Sequence, residues 1–160
     1  MGLNKVWGNR LIRFKSVSMS LNQHQQRLDL STSGRGLFEI TADVQGVLSE
    51  SGLRLGTVQL LVRHTSASLV IQENADPDVK TDLERFFKRL CPDGDSIYEH
   101  TLEGPDDMPA HVRCALTAVS LNIPFDNGRL LLGTWQGIYL WEHRTHPHRR
   151  QVVVHVLGES

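Results

Sequence analysis

The sequence predicts an α+β fold: a single compact domain, a mainly antiparallel β-sheet and two to three helices. Three observations carry this prediction. Strand signals recur: shared apolar parity at residues 56–66, a short β-branched run apolar on both parities at 69–71, and an inner-strand run at 152–157. A segment of helical period, Val79, Leu83, Phe86, Phe87 and Leu90, opens at Asp76-Pro77. The last third reads as a meander of strands through Asp126-Asn127-Gly128, a hairpin turn, and no repeat or linker divides the chain. The domain is expected over residues 1–160, with its core at about 12–157.

The order of elements follows from local chemistry. Residues before Leu11 read as a loose lead-in. Phe14, Val17, Met19 and Leu21 suggest a strand over residues 12–21, paired through an Asn22-Gln23-His24 turn with a strand over 25–30. Thr41 is expected to cap a helix carrying Val44, Val47 and Leu48, ended by Gly52 as a left-handed residue. In the next strand Val58, Leu60, Val62, His64 and Ser66 share one parity, and Thr65-Ser66-Ala67 makes a tight bend into the apolar run Leu69-Val70-Ile71. Asp76 suits an N-cap, Pro77 the first helical position, and Asp78 a first turn whose dipole favours an anion. After the turn Pro92-Asp93-Gly94-Asp95, a short strand is expected over residues 97–100. Asp106 or Asp107 then caps a helix over about 109–118, with Val112, Leu116 and Val119 on one face. Residues 133–144 form a long strand, with Trp135, Tyr139, Trp141 and His143 on one face and Gln136, Ile138, Leu140 and Glu142 on the other. His146 to Arg150 reads as a solvated basic turn, and residues 152–157 as an inner strand.

Composition narrows the function. Seventeen basic against eighteen acidic side chains give a formal charge of -1, which offers no footprint for nucleic acid or acidic membranes. No apolar run approaches a membrane span, and no signal-peptide core is expected at the N-terminus. Gly2 lacks the Ser or Thr that myristoylation needs, because Val6 stands there. Cys91 and Cys114 have neither CxxC nor zinc-ribbon spacing, so a reducing, cytoplasmic setting is the default. GxSxG, the P-loop, HExxH and the EF-hand are absent, and Gly34 and Gly36 lack the third glycine of a dinucleotide loop. What remains is polar residues at strand ends and helix starts: His64, Asn74, Asp76, Asp78, His100, Glu103, Asp106, His111, Glu142 and His143. Imidazoles with carboxylates suit a divalent metal, but capping accounts equally for Asp76 and Asp78, and core packing for His64.

Four stretches in order resemble the YjbQ-like family, described as secondary thiamine-phosphate synthases. They are His64-Thr65-Ser66-Ala67-Ser68, Asn74-Ala75-Asp76-Pro77-Asp78-Val79, Glu103-Gly104-Pro105-Asp106-Asp107-Met108-Pro109-Ala110-His111, and Gly133-Thr134-Trp135-Gln136-Gly137-Ile138-Tyr139 with Glu142-His143-Arg144. The resemblance runs from about Arg13 to Val156. It implies a homotrimer with a pocket lined by these motifs, and a weak ability to join hydroxymethylpyrimidine diphosphate and thiazole phosphate with loss of pyrophosphate. Carried onto this chain, it suggests His64, Asn74, Asp76, Asp78 and Glu142 as catalytic and Ser66, Ser68, Asp106 and Arg144 as substrate-binding. His100, His111 and His143 would be ligands of a divalent metal, zinc or magnesium. The departing diphosphate needs positive charge from such a metal, from Arg113 or Arg144, or from helix N–H groups. Two other readings use the same residues: a trimeric metal- or ligand-binding protein without catalysis, and a metal-assisted hydrolase of a phosphorylated small molecule.

Overall fold

The computed structural model describes residues 20–160, with the backbone of a short antiparallel pair in the lead-in, β1 (Lys5–Trp7) and β2 (Arg10–Ile12). The strand expected over residues 12–21 lies outside the described residues from 13 to 19. The Asn22-Gln23-His24 turn is not formed. These residues begin β3 (Asn22–Thr32) and pair with the end of β10 (His148–Glu159). β3 is an edge strand with one solvated side, so its outward polar residues imitate turn composition.

Two antiparallel sheets share one core. The larger has the order β3, β10, β5 (Leu55–Val62), β7 (Ser120–Asp126), β8 (Arg129–Leu130). The smaller has the order β4 (Gly36–Glu39), β9 (Gln136–Glu142), β6 (Ala67–Glu73). Val58, Leu60 and Val62 from β5 and Val152, Val154 and Val156 from β10 point inward in register. They meet Ala67, Leu69, Ile138 and Leu140 of the smaller sheet and Val44, Val47 and Leu48 of helix α1 (Thr41–Ser51). The chain passes from one sheet to the other at the bend Thr65-Ser66, as expected. The hairpin between β7 and β8 turns at Asn127 and Gly128 with φ of 51° and 71°, the left-handed pair of a primed turn.

The helices correct several expectations. Gly52 ends α1 with φ 68°, but Ile40 holds the N-cap position and Thr41 is the first helical residue. The Thr41 hydroxyl instead accepts the Ile138 N–H at 2.9 Å, tying the helix start to β9. Helix α2 (Pro77–Leu90) begins as read, the Asp76 carboxylate accepting the Asp78 N–H at 2.9 Å. It covers the outer face of β9, where Phe87 meets the Trp141 ring edge-on at 4.8 Å, a contact of about 0.5–1.5 kcal/mol beyond area burial. The long strand is shorter than the expected 133–144, and its aromatic residues are divided between core and surface. Tyr139 and Trp141 are buried under α2, whereas Trp135 sits in the preceding turn and is 64% exposed. Apolar exposure falls instead on Phe86 and Leu90 of α2. Residues 97–100 are loop, not strand. Helix α3 (Asp107–Leu116) buries Ala110, Arg113 and Cys114 and leaves Leu116 and Val119 outward, the reverse of the expected face. Among the described residues no helix is long and apolar enough to cross a membrane. Cys91 and Cys114 are free, buried thiols.

Candidate functional site

The start of α3 gathers the groups with the most chemistry. Asp107 and His111 are four apart on one helix face, and the loop before the helix brings in His100. Asp107 Oδ2 lies 2.8 Å from His100 Nε2 and 3.4 Å from His111 Nε2, and all three ligand atoms fall within 4.8 Å of one another. Donors about 2 Å from one ion stand roughly 3 Å apart, so this set has donor types that suit a zinc-like ion at a spacing that would have to tighten around one. His111 Nδ1–H donates to the Thr65 carbonyl at 3.0 Å, which leaves its Nε2 lone pair facing Asp107. Asp107 Oδ1 is held by the Arg144 guanidinium, so Oδ2 is the oxygen turned to the imidazoles. Asp107 is buried, while His100 and His111 side chains are 46% and 32% exposed, so the set opens to solvent on the imidazole side.

Behind this set lies a buried ionic network. Arg144 Nε donates to Asp106 Oδ2 at 3.1 Å and its Nη2 to the Glu103 carbonyl at 2.7 Å. Asp106 holds the N-cap position without capping, because Oδ2 also accepts the Thr145 N–H at 2.8 Å and hydroxyl at 2.9 Å. Burial alone would raise the Asp106 carboxyl; the Thr145 N–H and the Arg144 guanidinium outweigh it and hold it far below the usual range. Glu142 is likewise fully engaged. Its Oε1 accepts the Arg144 N–H at 3.0 Å and Arg150 Nη2 at 2.6 Å, and its Oε2 accepts Arg150 Nε at 2.7 Å and the Thr32 hydroxyl at 2.9 Å. Burial pushes Glu142 up and these donors, Arg150 foremost, bring it below normal. The residues expected to catalyse or hold substrate, Glu142, Asp106 and Arg144, thus act on one another. They position Asp107 and leave little for a ligand.

His143 does not join His100 and His111, contrary to expectation; Asp107 takes that place. Its Nε2 lies 2.9 Å from Ser68 Oγ, and both residues are completely buried. Burial, then the nearby Arg113 charge, pushes its imidazole down to about 3, so it stays neutral. Ser66 is also internal, its hydroxyl accepting Arg150 Nη2 at 3.0 Å. Neither serine presents an open hydroxyl to a ligand. Arg113 is wholly buried with one ion pair to Glu84, which makes it a core cation rather than a free phosphate clamp.

Asn74, Asp76 and Asp78 lie exposed between β6 and α2. The Asn74 N–H donates to the Trp135 carbonyl at 3.0 Å, which docks the two family stretches on each other. Among the described residues no hydrogen bond or ion pair links this group to His100, Asp107 or His111.

A cavity of about 530 Å³ adjoins the set through His111, between the end of β5 and α3. Val62, Cys114, Ala115 and Val119 give it apolar walls, and His64 and Thr65 supply polar groups. His64 lies beyond the end of β5, and its Nε2 accepts the Gln151 N–H at 2.9 Å.

Two residues escaped the sequence reading. Asp107 reads as a helix cap within a family stretch, although its four-residue spacing from His111 also puts the two on one helix face. Arg150 belongs by composition to a solvated turn, yet it shares parity with Val152 and Val154, and that parity points it inward at 4% exposure.

Comparison with known proteins gives a consistent picture. Residues 26–159 match the family described as "UPF0047 protein YjbQ-like". The UPF0047 protein sll1880 of Synechocystis is 54% identical over 144 residues, 90% of this chain and 98% of that protein. The UPF0047 protein YjbQ of Escherichia coli O157:H7 is 43% identical, covering 85% of this chain and 99% of its own length. A YbjQ-like protein of unknown function from Sulfolobus solfataricus superposes with a TM-score of 0.81 at 26% identity, over 88% of this chain and all of that one. The conserved hypothetical protein TT1486 from Thermus thermophilus gives 0.72 at 38% identity, over 80% and 97%.

Proposed function

The chain belongs to the YjbQ-like UPF0047 family, and we propose that it binds a phosphorylated small molecule at a divalent metal centre formed by His100, Asp107 and His111. The observation that carries this reading is the convergence of two imidazole nitrogens and one carboxylate oxygen on a position beside a cavity. A set of three protein ligands leaves a coordination position for a ligand oxygen, which is the pattern of reactive rather than structural zinc sites. A bound ion would supply the positive charge that a departing diphosphate requires. This chain's own residues do the rest. Arg144 fixes the Asp107 carboxylate, Thr65 fixes the His111 ring, and Val62, Cys114 and Ala115 offer an apolar surface to an organic group.

The reaction we propose is the one the resemblance implies, joining hydroxymethylpyrimidine diphosphate to thiazole phosphate with release of pyrophosphate, in a cytoplasmic setting. The purified protein, analysed for metal and assayed for thiamine phosphate with and without EDTA, tests it. Product formed only with metal supports the reading. Metal without turnover favours a binding protein, and phosphate release without coupling favours a hydrolase. We also propose a homotrimer, for which exposed Phe86 and Leu90 on α2 offer apolar surface to a second copy. Sedimentation at the mass of a single 18.0 kDa chain would contradict it.

A further inference from the structure

His64 borders the cavity beside the proposed centre, and its backbone partner determines what its ring can do. The group facing Nε2, at 2.9 Å, is the Gln151 N–H, which can only donate. Nε2 must therefore be the unprotonated, accepting nitrogen, and in a neutral imidazole the proton then resides on Nδ1. A doubly protonated ring would place one N–H against another. Among the described residues Nδ1 makes no hydrogen bond, and it is not one of the buried unpartnered atoms. The ring is half-buried in the cavity wall.

We infer that His64 is a neutral hydrogen-bond donor of the site, its Nδ1–H directed to an oxygen of a phosphate-type anion whose other end meets the His100, Asp107 and His111 centre. It is not the general base. The inference rests on the proposed function only for the identity of that far end. The surroundings suit an anion. Burial acts first to lower the His64 pKa, and Arg150, Arg63 and His148 lower it further through their charge, with Glu142 alone opposing them. Burial disfavours charge of either sign, so it is the positive charge of Arg150 and Arg63, against Glu142, that favours an anion in the adjoining cavity. A fixed neutral imidazole donates without changing charge, so its hydrogen bond strengthens as the ligand oxygen becomes more negative.

Two measurements test this on the whole protein. Long-range proton–nitrogen correlation spectra of the metal-free protein report the tautomer directly. We expect His64 to show a protonated Nδ1 and a lone-pair Nε2, and the opposite pattern overturns the inference. Calorimetry with inorganic pyrophosphate, on zinc-loaded protein, then compares two variants. His64→Asn keeps a donor near the place of Nδ1. His64→Gln reaches the Gln151 N–H but offers no donor there. We expect His64→Gln to weaken pyrophosphate binding about tenfold or more, and His64→Asn to retain most of it. Equal affinity for wild type and His64→Gln overturns the inference and makes the ring a strand staple. Zinc affinity is measured separately. If zinc fails to bind, the metal reading falls, while the tautomer and the pyrophosphate comparison on zinc-free protein still decide the role of His64.

Discussion

Arg150 grips Glu142 with two parallel hydrogen bonds, Nε to Oε2 at 2.7 Å and Nη2 to Oε1 at 2.6 Å, at a site where both residues are almost completely buried. The pair joins β9 of the smaller sheet to β10 of the larger. Breaking a buried pair leaves an uncompensated charge, so Glu142→Gln and Arg150→Met are each expected to cost about 3–5 kcal/mol. The double variant is expected to cost less than the sum of the two, with a coupling of about 0.5–3 kcal/mol. Urea denaturation of the four proteins checks this.

Acid should destabilise the fold in two windows. The His143 pKa falls on folding, so the unfolded chain binds the proton more tightly. Its contribution is complete above the unfolded value of 6.5 and is lost as pH falls toward about 3. At about 1.4 kcal/mol per unit, the loss across that window is on the order of 5 kcal/mol. Asp106 and Glu142 are depressed carboxylates, so their stabilisation is present above the ordinary carboxylate range and fades at lower pH still. Urea midpoints between pH 7 and 4 should fall for the wild type and flatten for His143→Gln.

Zinc should stabilise the wild-type protein, by about 2.7 kcal/mol at a hundredfold excess over its dissociation constant. Asp107→Asn and His111→Gln are expected to lose that stabilisation, and His143→Gln to keep it. Thermal unfolding with zinc or EDTA reads the difference, and retention by Asp107→Asn would contradict the proposed ligand set.

Asp76 and Asp78 separate capping from chemistry. Asp76 accepts the Asp78 N–H, so Asp76→Ala should cost about 1 kcal/mol while Asp76→Asn is tolerated. Asp78→Asn should cost at most about 1 kcal/mol through the helix dipole. If Asp78 also contacts substrate, turnover falls by on the order of a hundredfold in a folded protein. Unchanged turnover makes this helix start purely structural.

The elements whose signal is local were legible in the sequence. The apolar run ending at Leu157, the Asp76-Pro77 helix start and the Asn127-Gly128 turn appear where their chemistry places them. What failed depends on the other side of a contact. The face of α3 could not be read, because the core accepts Ala110 and Cys114 closely and holds Arg113 through Glu84, which lies on another helix. Trp141 shares its strand face with Trp135 in the sequence, and only the packing of α2 buries it while Trp135 stays exposed. The site was half legible: His111 lies in a family stretch and His100 just before it, while Asp107, in the same stretch, was hidden behind an ordinary capping role. His143 is adjacent in sequence to Glu142 but turns to Ser68, since neighbours on a strand point to opposite sides.

The place of β10 has a consequence for synthesis. It is the last strand, yet it lies between β3 and β5, and these two strands have no direct pairing with each other. As the chain leaves the ribosome, β3 emerges first and then remains without a partner for more than one hundred residues, since His148 is the residue that finally meets Thr32. The larger sheet therefore cannot close until β10 has been made, and β3 and β5 lack their shared partner until then. A nascent chain stalled before residue 148 should remain sensitive to protease across residues 22–62, and extension through Glu159 should abolish that sensitivity.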